Sequence, residues 1–180
     1  DETSIDLGAK IARATKAAMG NAYPASPADD LIFWMEEQGR LGRKSKAGFF
    51  DYDEAGKRLG YWQGVTDKFP AAETLPALQD VKDRLMFAQV LEAVRALEEG
   101  VLEDIREGDV GAILAWGFAP WSGGPFAYLD MLGAAYAAER CDQLQAAFGD
   151  RFACPPLLRE MAENGESFYQ RFNPNGAQAA

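Results

Sequence analysis

Four cations stand within seven positions of an otherwise acidic chain: Arg40, Arg43, Lys44 and Lys46. Glycines at 39, 42 and 48 flank them and allow close backbone approach. A loop of this kind could hold a phosphate. It could equally be a solvated turn whose cations pair with acidic neighbours, and both readings stand at this point. A second concentration runs from Trp116 to Phe126, with aromatics at 116, 118, 121 and 126 around Gly117, Gly123, Gly124, Pro120 and Pro125. These rings can fill a helix junction, and Ser122 and Pro125 suit the cap and first turn of a following helix.

Other chemistry is missing. The chain has no histidine, which removes the commonest general base near neutral pH and the commonest metal ligand. No GxGxxG follows a strand-like run, and there is no GxxxxGK[ST]. Adjacent carboxylates such as Glu36-Glu37 and Glu98-Glu99 fall at helix ends and read as solvated. No residue is assigned to catalysis, cofactor binding or metal binding. Cys141 and Cys154 have no neighbours at metal-ligand spacing and read as free thiols of a reducing, cytoplasmic compartment. A formal net charge of −10 disfavours nucleic acid and anionic lipid as partners, and no apolar run is long enough for membrane insertion. Asp1-Glu2-Thr3-Ser4 does not read as a signal peptide.

The elements that must position these residues are mostly helical. Periodicity and punctuation predict helices over Ser4–Met19, Pro27–Gln38, Leu78–Glu99, Asp104–Trp116, Ser122–Leu132, Ala134–Phe148 and Pro156–Asn164. Residues 47–52 read as extended and Asp53–Lys57 as a turn. The first helix is expected to bury Ile5, Gly8, Ile11, Ala12, Thr15 and Met19. The long helix at 78–99 is expected to be central and buried nearly all round, its polar stripe narrowed to Glu92, Arg95 and Glu99.

Asp1 to Gly20 aligns with Asp130 to Gly149 without a gap, each a helix closed by glycine. Pro27 to Gly39 then aligns with Pro156 to Gly165 after a short deletion, pairing Leu31, Met35 and Gly39 with Leu157, Met161 and Gly165. This predicts a duplicated helical fold. Residues 1–57 would be a partial first repeat, 58–76 a linker, 77–172 the second repeat and 173–180 a frayed tail. Helix-like sequence precedes Asp130 but not Asp1, so the first copy reads as truncated and the chain as a fragment.

Gly42-Arg43-Lys44 leading to Gly48-Phe49-Phe50-Asp51-Tyr52 resembles the GRKxGxGFYxY segment that closes the helical domain of 3-hydroxyacyl-CoA dehydrogenases. Asp1 to Leu7 resembles a DxVGLD helix start of the same domain. Leu91 to Val101 and Gly117 to Pro125 resemble the second helical repeat of the multifunctional enoyl-CoA hydratase/3-hydroxyacyl-CoA dehydrogenase subunits of fatty-acid oxidation. The resemblance implies an all-α, duplicated dehydrogenase C-terminal-like fold whose first copy is truncated. It implies a parent that oxidises (3S)-3-hydroxyacyl-CoA to 3-oxoacyl-CoA with NAD. Its partners would be acyl-CoA, the parent's own NAD-binding and hydratase domains and a thiolase subunit. On this reading Arg40, Arg43, Lys44 and Lys46 are candidates for a CoA phosphate. The family's substrate-holding Asn, in an NRLL motif, corresponds to Asp83 of Asp83-Arg84-Leu85-Met86, so no catalytic role carries over. The fragment is expected to be inactive alone, completing the substrate cleft or acting purely as a scaffold.

Overall fold

A computed structural model describes residues 1–172; residues 173–180, read as a frayed tail, lie outside the described residues. The chain divides into two compact units, one ending at Leu75 and one beginning at Pro76.

The first unit starts with helix α1, Ile5–Met19. Helix α2, Pro27–Glu37, is nucleated by a capping box: Ser26 Oγ accepts from Ala28 N–H at 3.2 Å, and the Asp29 carboxylate accepts from Ser26 N–H. The chain then runs through a 3-10 turn, Arg43–Ser45, into strand β1, Phe50–Tyr52. β1 pairs antiparallel with β2, Arg58–Tyr61, across the expected turn, where Asp53 Oδ1 accepts from Lys57 N–H at 2.8 Å. Helix α3, Gln63–Lys68, follows. Residues 58–68, read from the sequence as the start of a linker, are therefore strand and helix. Tertiary packing overrides their turn-rich composition: Val65 is buried, and Trp62 stacks on Trp34 with ring centroids 5.3 Å apart. The core of this unit is small, built on Ile5, Met35 and Val65.

Helix α1 buries Ile5 and Ala9, with Gly8 against Ile32, whereas Ile11 is 57% exposed and Met19 is also exposed. The buried stripe is thus rotated from the expected one. It follows the short side chains that let α2 approach.

The second unit consists of α4, Leu78–Glu98; α5, Ile105–Trp116; α6, Pro125–Leu132; α7, Ala134–Phe148; α8, Pro156–Asn164; and α9, Phe168–Phe172. Helix α4 buries one stripe, Asp83, Phe87, Val90, Leu91 and Val94. Leu85 is 64% exposed, so the helix is amphipathic and not buried all round. Phe87 packs in one core with Phe126, Leu144, Met161 and Phe168.

Ser122 does not cap α6. It lies in a 3-10 turn, donating to Ala119 O at 2.6 Å and accepting from Gly124 N–H at 3.3 Å. The cap comes from another helix: the buried Asp109 carboxylate of α5 accepts from Phe126 N–H at 2.7 Å and Ala127 N–H at 3.1 Å. Gly124, at φ 117°, lies against Asp109 so closely that a Cβ there would overlap it. No helix among the described residues is long and apolar enough to cross a membrane.

Candidate functional site

The basic loop closes the first unit's hairpin region, and each of its four cations has a carboxylate partner. Arg40 is the most enclosed. Its Nε donates to Gly48 O at 2.8 Å, its Nη2 reaches Asp51 Oδ1 at 2.5 Å, and its guanidinium lies 4.1 Å from the Trp62 ring centroid. Arg43 pairs with Glu2 at 3.2 Å, Lys44 with Asp6 at 2.6 Å, and Lys46 with Glu54. The hydrogen bond from Lys44 holds the Asp6 carboxyl down at about 2. The sequence brought four cations together; the fold also brings four anions to them. Arg40 holds the turn itself, while Arg43, Lys44 and Lys46 remain half-exposed at its rim.

The pivot of this loop is Asp1. Its carboxylate accepts from Phe49 N–H at 2.8 Å, Phe50 N–H at 3.1 Å and the Tyr52 hydroxyl at 2.8 Å. Gly42 and Gly48 are the close-approach positions: a Cβ at either would overlap Asp1. The second unit has a matching clamp. The Asp130 carboxylate accepts from Phe168 N–H at 2.6 Å and Tyr169 N–H at 2.9 Å, capping α9.

Asp83 is occupied structurally. Its Oδ2 accepts from Arg140 Nε at 2.7 Å and its Oδ1 from Gln79 Nε2 at 2.7 Å, while Arg140 also reaches Asp80 at 2.5 Å. A pocket of about 430 Å³ opens above it, lined by Met86, Ala119, Trp121 and Tyr128 among others. A carboxylate already neutralised by an arginine is a support for α4 and α7.

The second buried carboxylate, Asp109, also accepts from the Tyr169 hydroxyl at 2.9 Å. Burial pushes its carboxyl above the ordinary 3.8, against the bonds from Phe126, Tyr169 and Ala127. Burial likewise pushes the Tyr169 phenol up to about 12. Sequence reasoning missed Asp1, Asp83–Arg140 and Asp109 as organising groups. The one available signal was an Asp four residues before each paired helix start, at 1 and 130.

Residues spanning 94% of the chain are 39% identical to the fatty acid oxidation complex subunit alpha of Shewanella loihica. The same share is 38% identical to the protein of that name in Shewanella amazonensis, and 95% is 36% identical to that of Shewanella frigidimarina. The chain is a homologue of part of the fatty acid oxidation complex alpha subunit. It spans about 24% of the length of these relatives. No family model matches the chain. Among the described residues the one sheet is the antiparallel pair of β1 and β2.

Proposed function

We propose that this chain is the helical region of a multifunctional alpha subunit that oxidises (3S)-3-hydroxyacyl-CoA to 3-oxoacyl-CoA with NAD in fatty-acid β-oxidation. Its task is to complete the acyl-CoA cleft beside the parent's NAD-binding domain and to provide an assembly surface toward the hydratase part and a thiolase subunit. The observation that carries this reading is the likeness to fatty acid oxidation alpha subunits across nearly the whole chain, without a histidine or a dinucleotide-binding turn of its own. Two such clamped helical pairs in one chain support descent by internal duplication.

The reading makes the 180-residue chain inactive alone. Purified chain mixed with 3-hydroxybutyryl-CoA and NAD⁺ should form no NADH, and removal of this region from a complete alpha subunit should abolish the dehydrogenase. Turnover by the purified chain, or full dehydrogenase activity without it, would overturn the proposal. A purely non-catalytic scaffold is the second reading, favoured by the neutralised basic loop. In a complete subunit, Arg43→Glu with Lys44→Glu raises KM for acyl-CoA and leaves NAD⁺ affinity unchanged if the loop meets a CoA phosphate. An unchanged KM assigns the loop to structure alone.

A further inference from the structure

Arginine in this chain is nearly always neutralised. Of the eleven arginines, eight lie within ion-pair distance of a carboxylate. Arg58 lies over the Phe50 ring instead. The other two, Arg84 and Arg151, have no carboxylate partner among the described residues, and both line one pocket of the second unit. Its volume is about 470 Å³, within the range of small-molecule sites. The apolar part of its wall is Val81, Leu85 and Ala88, on one face of α4, with Phe152 of the 3-10 turn Asp150–Phe152. Leu85 stands 64% exposed there.

The two cations are positioned by their surroundings. The Arg84 guanidinium lies 4.4 Å from the centroid of the Phe148 ring at the end of α7, and that ring meets Phe152 edge-on at 6.4 Å. The turn that carries Arg151 is fastened to α4 by Arg95, which donates to Arg151 O at 3.3 Å and Ala153 O at 3.0 Å. The neighbouring carboxylate, Asp150, accepts instead from Gln145 Nε2 at 3.0 Å. Gln89, the remaining polar group of the wall, gives its Nε2 to Leu85 O at 2.9 Å. An apolar trough with two unneutralised guanidinium groups is complementary to a molecule that is apolar over most of its length and anionic at one end, because each guanidinium can offer paired N–H donors to a carboxylate or phosphate.

We propose that the pocket between α4 and the turn at 150–152 binds a free straight-chain amphiphile with an anionic head. The head, a carboxylate or phosphate, meets Arg84 and Arg151, and the chain lies against Val81, Leu85, Ala88 and Phe152. The test uses the 180-residue chain with decanoate and decyl phosphate as probes, each below its micelle-forming concentration. Decanol and inorganic phosphate serve as controls that carry only the tail or only the head. Calorimetric titration should show saturable one-to-one binding of at least one amphiphile, with both controls weaker by about tenfold or more. The tighter probe identifies the head. Arg84→Gln and Arg151→Gln should each weaken that probe about tenfold and leave circular dichroism unchanged, since both side chains are exposed. Amide shifts in nitrogen-15 spectra should centre on residues 81–89 and 150–153. The proposal is overturned if neither amphiphile saturates, if both substitutions leave the affinity unchanged, or if the shifts centre on the basic loop at 40–46. Phosphatidylglycerol vesicles should not sediment the chain; sedimentation that both substitutions abolish would assign the pocket to a membrane surface and overturn the free ligand.

Discussion

The helical pair α1–α2 and the helical pair α7–α8 are built to one plan with different support. α1 and α7 are each 15 residues long, end at a glycine of positive φ and pass through a 3-10 turn into a helix that starts with proline. Each pair buries a methionine completely, Met35 or Met161. Each is preceded by an aspartate whose carboxylate takes two successive backbone amides from beyond the second helix. The supports differ. Among the described residues, three buried side chains centre the first unit's core and seventeen the second's, where α4 provides Phe87, Val90, Leu91 and Val94. The first unit leans instead on surface chemistry: the stacked Trp34 and Trp62, Arg40 against carbonyls and indole, and half-exposed ion pairs. Local pattern is sufficient to specify a helical pair, and a long neighbouring helix decides how deeply it is buried.

The largest test of that contrast is Phe87→Ala, which should cost the second unit about 3–5 kcal/mol by removing a fully buried ring. Hydrogen exchange of the unsubstituted chain should already show α7–α8 amides protected at least about tenfold more than those of α1–α2, and Phe87→Ala should erase the gap. Equal protection in the two pairs would break the comparison. Next come the clamps. Asp130→Ala and Asp1→Ala each leave two backbone donors without their partner and should each cost about 1–3 kcal/mol, read from denaturant midpoints. An Asp1→Ala change without effect would confine the shared plan to the helices.

Acid should separate the units in sign. The Asp6 carboxyl, held at about 2 by Lys44, gives the first unit stability that is full above the ordinary 3.8 and fades as pH falls toward about 2. Asp109, raised from 3.8 by burial, takes its proton first in the folded state. Its contribution is full below the ordinary value and is lost as pH rises through the raised one. Carboxyl carbon resonances should titrate on opposite sides of 3.8, and midpoints on one side would remove the distinction. The smallest effect belongs to the rim: Arg43→Ala and Lys44→Ala should each change stability by less than about 1 kcal/mol, because these pairs are half in solvent. A larger loss in thermal unfolding would place more of the first unit's stability in its rim pairs.

What the sequence made legible was punctuation. Pro27, Pro156, Gly20 and Gly149 bound the helices where they were expected, because proline and glycine act through local backbone geometry. The basic loop was legible as a cluster, but Glu2 and Asp6, which pair with Arg43 and Lys44, and Asp1, which holds the amides of Phe49 and Phe50, lie 38 to 49 positions away in sequence, and no local rule couples them. The cap on Phe126 was misplaced onto Ser122 for the same reason: Asp109 reaches it from a different helix. Leu85 and Ile11 were read as buried from hydrophobicity alone, whereas the position of the neighbouring helix selected Phe87 and Ala9.

The four tryptophans divide evenly, two to a unit, and their settings give each unit its own optical signal. Trp34 and Trp62 lie nearly parallel, 15° between ring planes, close enough for their indole transitions to couple, so the first unit should contribute a paired exciton band to the circular dichroism. Trp116 and Trp121 are 64% and 71% exposed, so their emission should be red-shifted and open to collisional quenching by iodide. A melt followed at once by the coupled band and by quenchable fluorescence can thus watch the two units come apart separately, with no label added.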